Sequence, residues 1–551
     1  MDAVNDDDPL TDHSPPGVLW SRANFVEAVP GVLVPAGWSF YGRLMDVSGR
    51  LGFADLGVIP RSATTYPTSP GGRMFGVFGG RAAINVDVVR SMMAGLPGVT
   101  GDDVERDMLG SVRSGVIDEG FGWRVPAVLA RVPAQLTLIR RGPDRFRADA
   151  GHWWSSSVDT AGLRPGVKAR TALGEAMERF GAAIRWQARL RMFLQGSASS
   201  LARHAERIGE PQLAGLLMTG SGTIEEMAVA DDLWELAAGR LDMSGFLARH
   251  GFHGPNSGNV DARSWREDPA PVERLLPTLR AGENPRDRRA RVGPARDAAV
   301  TRLLDRLPIA GRMGARAALG LGPIAAASLE RTKATMLIAM DVARAAIRGI
   351  GAELTAAGLM ERPEDAFQLF AHELLGAPVD RRESVSRRKA ARETYLASEV
   401  PDSFEGQPVI SARSEDAARA PVARVTGFGV GAGAGCVEGP VRVVLDPADD
   451  IEINNGDILV CPTTDPSWVA LMTVAGGLVI DIGGTVSHGA VVAREIGIPC
   501  VIGTHTGTLD LHDGDIVRVD GASGVVEILR RADGGNGHRL PKDPPDTILT
   551  R

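Results

Sequence analysis

His488 stands in the part of this sequence whose residue types and spacing are best suited to chemistry. The apolar run Gly477–Asp481 before it predicts a short buried strand. The pair Gly483–Gly484 then permits a tight turn, and Ser487 is a good N-cap for the short apolar helix that follows. The pattern therefore places His488 on the first turn of a helix, at the corner where the chain leaves a strand.

A histidine in this position can serve as a phosphoryl acceptor. The first turn of a helix has unpaired backbone N–H groups and a partial positive charge, which lower the pKa of an imidazole and keep one ring nitrogen available as a nucleophile. The same N–H groups bind phosphate oxygens. The alternative, from position alone, is that His488 caps the helix and has no further role.

Other polar residues could assist at a phosphate site. Thr463 and Thr464 precede a predicted helix start, where their hydroxyls could donate to phosphate or cap that helix. Arg331 and Lys333 lie in a long predicted helix and could support a phosphate, although they could equally be ordinary solvated charges. These residues define a candidate site only if the fold brings them to His488.

The composition is that of a globular protein with two or three domains. The chain has 551 residues, of which 44% are hydrophobic and 23% charged, and its net charge is -7. The acidic balance argues against general nucleic-acid binding, and no apolar run approaches the length of a membrane span. Three cysteines without a CxxC spacing fit a reducing cytoplasm. We expect no metal site, because His250 and His253 lack an acidic or cysteine partner at ligand spacing.

Periodicity divides the chain into a helical part and a smaller part rich in strands. Helical spacing of apolar residues runs through about 170–250 and about 325–357. Near the C-terminus, the pattern predicts strands over 437–445, 457–461, 477–481, 500–503, 515–520 and 524–529.

These patterns predict a multidomain α/β protein, in which a largely α-helical domain precedes a compact domain of strands and two helices. The expected divisions are a disordered N-terminus over 1–16, a helical domain over 17–401, a linker over 402–424, a compact domain over 425–531 and a disordered tail over 532–551.

A longer motif around His488 resembles the phosphohistidine signature of the mobile, swivelling domain of PEP-utilising enzymes, the group of PEP synthase, pyruvate phosphate dikinase and rifampicin phosphotransferase: Gly483-Gly-x-x-Ser487-His488-x-Ala-x-Val-Ala-Arg494-Glu-x-Gly-Ile-Pro499. The resemblance implies a swivelling β/β/α fold for the compact domain and a phosphoryl group carried by His488. It also implies phosphate contacts from the motif and a neighbouring segment, at Gly484, Thr485, Ser487, Arg494, Thr463 and Thr464. Thr485 departs from the usual pattern, in which the threonine comes one position later.

The resemblance extends over most of the chain. Trp20-Ser-Arg-Ala-Asn24 is similar to the start of the substrate-binding domain of rifampicin phosphotransferase-like proteins. Arg331 and Lys333 match the end of an Arg-Glu-Arg-x-Lys pattern that supplies cations to the transferred phosphate, but Leu329 replaces its first arginine. Phe252-His253 stands where the family usually has His-Arg. These departures imply different substrate contacts or a weakened transfer site.

The same resemblance implies an ATP-dependent, dikinase-type phosphotransferase. We find no segment for its ATP-grasp domain and no glycine-rich loop of P-loop spacing. We therefore expect a separate ATP-grasp subunit, which binds ATP and Mg²⁺ and phosphorylates His488. His488 would then pass the phosphoryl group to the hydroxyl of a small organic substrate in the helical domain. The alternative is a non-catalytic phospho-carrier or ligand-binding regulatory protein derived from this family.

Overall fold

The computed structural model describes residues 10–532 except for 23–24, 26–28, 94–99, 110–111, 114, 117–121, 211–212, 218–224, 291–292, 413–421, 431–434, 448–452 and 485–486. A mainly helical region is followed by a C-terminal domain built around a sheet, which confirms the predicted multidomain α/β class. Within the described ranges, no helix combines the length and the apolar character that a membrane span requires.

The helical region precedes the C-terminal sheet. Its α-helices are α1 (Pro35–Ser39), α2 (Met45–Leu56), α3 (Val86–Met93), α4 (Gly101–Leu109), α5 (Val125–Ile139), α6 (Gly142–Ser157), α7 (Ala169–Arg207), α8 (Leu213–Leu217), α9 (Glu225–Ala237), α10 (Met243–His250), α11 (Ala270–Ala281), α12 (Pro285–Ala290), α13 (Gly293–Arg306), α14 (Ile309–Ala356), α15 (Ala371–Leu375) and α16 (Arg382–Leu396). The C-terminal domain adds α17 (Val469–Val474), α18 (His488–Ile496) and α19 (Gly507–Asp510).

The strands fall into one sheet in each region and two short pairs. They are β1 (Leu19–Ser21), β2 (Phe75–Phe78), β3 (Arg81–Asn85), β4 (Val158–Asp159), β5 (Gly162–Leu163), β6 (Ser398–Glu399), β7 (Ser403–Glu405), β8 (Ser411–Ala412), β9 (Arg424–Thr426), β10 (Phe428–Val430), β11 (Cys436–Val443), β12 (Ile458–Cys461), β13 (Gly477–Ile480), β14 (Cys500–Ile502), β15 (Ile516–Asp520) and β16 (Val525–Arg530).

Two long helices, α7 and α14, pack along each other and form the centre of the helical region. Their facing residues are fully buried and include Leu173, Phe180, Ile338 and Ile347. The prediction placed the start of α14 near residue 325, whereas the helix begins at Ile309. The difference arises because four glycines and Pro323 lie in its first turns, and such residues usually weaken or break a helix.

The C-terminal sheet has the strand order β10-β14-β13-β12-β11-β15-β16-β9. The pairs β11–β12, β12–β13 and β13–β14 are parallel, and the remaining pairs are antiparallel. The six strands expected from the sequence correspond to β11 through β16, with ends that differ by one or two residues. Because β12 and β13 are parallel neighbours, their carboxyl ends lie at one edge of the sheet. The helices α17 and α18 follow these two strands.

One apolar cluster is shared by the two regions. From the helical region it contains Met227, Leu233, Phe246 and Trp265. From the C-terminal domain it contains Leu459, Met472, Ile480 and Ala490. Removal of this apolar surface from water stabilises the docked arrangement, in which α9 and α11 lie against α17.

The predicted terminus and linker are more structured than the sequence indicated. Leu10 is buried against Val32, Val77 and Tyr395, although 1–16 was expected to be disordered. The predicted linker, 402–424, contains β7, which pairs with β1, and β8, which pairs with β6. These strands are two or three residues long, too short for an alternating pattern to stand out. Residues 413–421 of that linker, and residues 1–9 and 533–551, lie outside the described residues.

Candidate functional site

The candidate site lies at the carboxyl ends of β12 and β13. His488 is the first residue of α18, and Ser487 precedes it in extended conformation. Gly483 has a φ of 143°, a region that favours glycine, so the turn between β13 and α18 depends on it. Thr463 and Thr464 come two and three residues after β12 ends. The parallel strands therefore bring the two predicted segments together.

Three hydroxyls beside His488 are buried without a partner among the described residues. The side chains belong to Thr463, Thr464 and Ser487, which are 7%, 1% and 8% exposed. Ser487 was expected to cap α18, but its side chain makes no capping hydrogen bond. Since buried hydroxyls are normally hydrogen-bonded, these three are suited to a ligand that accepts hydrogen bonds, such as a phosphoryl group.

His488 meets the helical region through Lys333 of α14. The Lys333 Nζ lies 3.0 Å from His488 Nδ1, and the histidine side chain is 5% exposed. Burial holds the pKa of His488 well below its usual range, and the charge of Lys333 lowers it further, while a hydrogen bond to the backbone of Asp465 opposes this. The sequence predicted a lowered pKa, but burial and Lys333 cause it rather than the helix terminus.

Two carboxyl groups complete the contact, and neither was predicted as a site residue. Glu226 Oε1 lies 3.7 Å from both His488 Nδ1 and Lys333 Nζ, and Glu330 Oε2 lies 3.7 Å from Lys333 Nζ. Burial and the neighbouring Glu330 raise the pKa of Glu226 well above its ordinary value, although Lys333 opposes the shift. Two charged carboxyl groups this close would repel each other, which favours the protonated form of the buried Glu226.

The sequence did contain a signal for Glu226. It lies four and seven residues before Ala230 and Leu233, which are fully buried, so it belongs to the apolar face of α9. A carboxyl group on the buried face of a helix requires a partner, and this is a reason to examine such a residue as a candidate site. The identity of the partner, Lys333 from another helix, follows only from the tertiary structure.

Asp465 is a further buried acid at the site. Burial raises the pKa of its carboxyl group to about 6, while hydrogen bonds from Ser467 and the charge of Lys333 lower it. The Ser467 backbone N–H donates to Asp465 Oδ1 at 2.8 Å, which orients the carboxyl group at the turn before α17. The site thus contains an acid that titrates close to neutral pH, next to the phosphoryl-acceptor candidate.

The structure places the remaining predicted site residues differently. Gly484 accepts a hydrogen bond at 3.0 Å from the Ser487 backbone, and Thr485 lies outside the described residues. Arg494 is buried in the last turn of α18, at the opposite end from His488, and burial lowers its pKa to about 10.

Arg331, one of the two cations predicted in the helical region, pairs with Asp144 at 3.0 Å. Of the two predicted supporting cations, Lys333 is the one that contacts His488.

Leu329 occupies the position where the family pattern predicts a cation. Its side chain packs with Ile139 and Leu190 in an apolar cluster. A charged side chain at this position would enter an apolar environment at a considerable free-energy cost. The apolar surroundings of position 329 therefore suit the leucine of this chain better than the arginine of the family pattern.

Gly489→Ala is expected to destabilise the C-terminal domain. A Cβ at this position would lie 2.4 Å from Ile480 Cδ1 and 2.8 Å from Thr464 Oγ1, so these two buried side chains would have to shift. We expect a loss of about 1–3 kcal/mol in the free energy of unfolding, measured by urea denaturation. Gly174→Ala, in α7 with open space around the new methyl group, should instead gain about 0.5–1 kcal/mol. Equal effects of the two substitutions would contradict the close packing at Gly489.

Glu226→Gln is expected to stabilise the protein at alkaline pH. A folded-state pKa above the unfolded value gives stability that is present at low pH and is lost as pH rises through the folded-state pKa. Glutamine keeps the shape of the side chain without ionising, so the midpoint of thermal unfolding at pH 8 should rise by about 2–4 °C, which corresponds to about 1 kcal/mol. The difference should vanish toward pH 4. Glu206→Gln, at an exposed position, is the control. A fall in the unfolding midpoint of Glu226→Gln at pH 8 would contradict the prediction, because it would show that Glu226 is ionised and paired with Lys333.

Comparison with known proteins agrees with this geometry. Residues 453–524 match the family model of the mobile domain of PEP-utilising enzymes, and residues 199–321 match that of the rifampicin phosphotransferase fourth domain. Residues 453–524 of the C-terminal domain are therefore similar to the mobile domains of PEP-utilising enzymes.

Individual relatives cover part of the chain. An uncharacterised protein of Mycobacterium tuberculosis is 37% identical over 208 residues, 37% of this chain and 24% of that protein. Rifampicin phosphotransferase of Streptomyces sviceus is 38% identical over 181 residues, 32% of this chain and 20% of that protein. The chain thus matches about a quarter or less of the length of these relatives. An NMR structure of Enzyme I is similar at 14% identity, 61% coverage of this chain and 82% of that one, with a TM-score of 0.16.

Proposed function

We propose that this chain is the phosphohistidine-carrying, substrate-binding component of an ATP-dependent phosphotransferase. The observation that carries the proposal is the contact between Lys333 and His488 Nδ1 across the two regions, beside three buried hydroxyls without a partner among the described residues. The contact joins a nucleophile on the C-terminal domain to a cation on the helical region. Such an arrangement is suited to transfer of a phosphoryl group from one region to the other.

The hydrogen bond from Lys333 distinguishes the two ring nitrogens of His488. Since an ammonium group only donates hydrogen bonds, we infer that Nδ1 accepts from Lys333 and that the proton of the neutral ring lies on Nε2. We propose that Nε2 is the nitrogen that carries the phosphoryl group. The docked arrangement would then represent the state after transfer, in which a proton has replaced the phosphoryl group on Nε2.

The transfer step follows from this assignment. The acceptor hydroxyl oxygen forms a bond to phosphorus, the bond between phosphorus and Nε2 breaks, and its electron pair remains on the ring of His488. The hydroxyl proton ends on Nε2. As the ring gains electron density, the ammonium group of Lys333 at Nδ1 stabilises it, because a charge-assisted hydrogen bond strengthens with the charge on its acceptor.

The source of the phosphoryl group is the second part of the proposal. A separate ATP-grasp subunit would bind ATP and Mg²⁺ and phosphorylate His488, after the C-terminal domain moves away from the helical region. Movement requires the shared apolar cluster to separate, and the partner subunit would have to cover the exposed surface. The acceptor would be the hydroxyl of a small organic molecule in the helical region.

The experiment is phosphorylation of the purified chain by ATP labelled at the β-phosphate, with and without extract from its own cells. We expect acid-labile label at His488 only when extract is present, which would indicate a separate ATP-binding partner. Label with ATP alone would contradict the split arrangement, and absence of label under both conditions would contradict the phosphohistidine role. Treatment with phosphoramidate, a small phosphoryl donor, tests the reactivity of His488 without any partner.

A phospho-carrier or ligand-binding regulator without transfer activity is the second candidate. It is favoured by the apolar surroundings of Leu329, where the family pattern has a cation for the transferred phosphate. This candidate predicts a stable phosphohistidine in the presence of the small-molecule fraction of the cell extract. Transfer of the label to that fraction would exclude it.

A further inference from the structure

His253 is a buried residue that the transfer step described above does not use. It lies in the segment between α10 and α11, is 2% exposed, and neither of its ring nitrogens has a hydrogen-bond partner among the described residues. Its ring packs against the rings of Phe252 and Trp265, with centroids 4.3 and 5.7 Å away. A buried imidazole without a hydrogen bond at either nitrogen is costly, so a missing partner is expected.

The backbone holds His253 firmly in this position. Its N–H donates to the His250 carbonyl at 3.0 Å, and its carbonyl accepts from the Trp265 N–H at 2.6 Å. Further along the segment, Arg266 Nε pairs with the buried carboxyl group of Asp341 on α14 at 2.9 Å. The backbone of His253 is therefore held in place, and packing against Phe252 and Trp265 confines its ring.

The charged groups around His253 are cations and histidines. They are His250 on α10, Arg147 on α6, Lys333 on α14 and His488 on α18. The carboxylates of this neighbourhood pair with other residues, since Asp232 lies 2.9 Å from His250 and Glu225 bonds Arg147. Burial and the positive neighbours hold the pKa of His253 well below its usual range. Glu226 and Glu330 each lie 3.7 Å from Lys333. No carboxylate among the described residues pairs with His253 itself, and a phosphoryl group on His488 would supply an anion for it.

We propose that His253 takes up a proton when the phosphorylated His488 docks, and then pairs with the phosphoryl group as an imidazolium. The inference rests on the proposed phosphohistidine function and adds a positioning residue to it. An arginine in this place would be charged at every physiological pH, whereas a histidine binds the phosphoryl group most strongly when protonated.

Over one cycle of phosphorylation and transfer, His253 binds one proton and releases one proton. His253 binds one proton from solvent when the phosphoryl group arrives, because the negative charge raises its affinity for protons. During transfer, the hydroxyl proton of the acceptor replaces the phosphoryl group on His488 Nε2, as described above. His253 releases its own proton when the phosphorylated product leaves, so neither an oxidant nor any other reactant is needed.

The test compares the lifetime of phosphohistidine in the full chain after treatment with phosphoramidate. Phosphorus NMR follows the signal of phosphorylated His488 at pH 6 and pH 9, in the wild type, His253→Gln and His253→Arg. At pH 6 we expect the lifetime in His253→Gln to be about tenfold shorter than in the wild type, because a charge-assisted hydrogen bond to the phosphoryl group is lost. At pH 9 these two proteins should be alike, and His253→Arg should keep the long lifetime at both pH values.

A matched control is His204→Gln, a buried histidine at the other end of the helical region, which should behave as the wild type at both pH values. The wild type unfolded in concentrated urea gives a reference that needs no variant. The lifetime of phosphohistidine in the folded chain, divided by its lifetime in the unfolded chain, should be larger at pH 6 than at pH 9. Equal lifetimes in the wild type and His253→Gln, or protection that does not depend on pH, would overturn the role of His253. Absence of the phosphohistidine signal in the wild type would instead overturn the proposed function itself.

Discussion

Replacing His488 with alanine is expected to abolish phosphorylation of the chain and any transfer that depends on it. The imidazole is the proposed attachment point of the phosphoryl group, and its buried position beside Lys333 and Glu226 leaves no neighbouring side chain with the same geometry. We expect a loss of roughly a thousandfold or more in acid-labile label, because removal of a nucleophile removes the covalent route entirely. The measurement is labelling by β-labelled ATP with cell extract, together with labelling by phosphoramidate.

The matched control for this prediction is His512→Ala in the same domain. The His512 side chain is 70% exposed, so its loss leaves the site and the core intact. If label persisted in His488→Ala and disappeared in His512→Ala, the phosphorylated residue would be His512 and not His488. Thermal unfolding of both variants, followed by circular dichroism, shows whether a loss of label reflects chemistry or misfolding.

The second large effect is expected from Lys333→Met. Methionine fills similar space but donates no hydrogen bond to His488 Nδ1, so the ring loses its stabilising charge as the phosphoryl group leaves. Transfer of label from phosphorylated His488 to the small-molecule fraction of cell extract should slow by roughly 10²–10³-fold, as it does when a preorganised donor is removed from an active site. The pKa of His488 should also rise, because the charge of Lys333 is one of the causes that lower it.

Two measurements separate this role from a general loss of structure. Phosphorylation by phosphoramidate should proceed in Lys333→Met, since the attacking nitrogen in our proposal is Nε2 and not the nitrogen that Lys333 contacts. Arg316→Met, at an exposed position on the same helix, should transfer label at the rate of the wild type. Unchanged transfer in Lys333→Met would mean that the contact with His488 only holds the two regions together.

The C-terminal domain could be predicted well because its signals are local. Each of β12 to β14 is a short apolar run bounded by glycine, proline or aspartate, and the turn before α18 contains Gly483, whose positive φ favours glycine. The motif around His488 is continuous in the sequence, so its recognition required no knowledge of distant contacts. The edge strands β9 and β10 were missed because β9 is three residues long and begins at the last residue of the expected linker, and β10 lies in a glycine-rich run.

The site was predicted less completely because half of it comes from the helical region. Lys333 was a candidate beside Arg331, and the sequence offered no reason to prefer one, since both lie on the exposed part of a helical pattern. The structure separates them, with Lys333 at His488 and Arg331 at Asp144. Residues two positions apart on an α-helix point in directions that differ by about 200°, so only one of them can face the docked domain.

The sequence by itself determined the class of the fold, the strand order along the chain and the position of His488 at a corner between a strand and a helix. These features depend on periodicity, on turn residues and on a contiguous motif, which are properties of neighbouring residues. The tertiary structure decided which side chains surround His488: Lys333, Glu226 and Asp465 come from three separate elements. It also decided the ionisation of the site, because burial and long-range charges, rather than the local helix terminus, lower the pKa of His488 and raise that of Glu226.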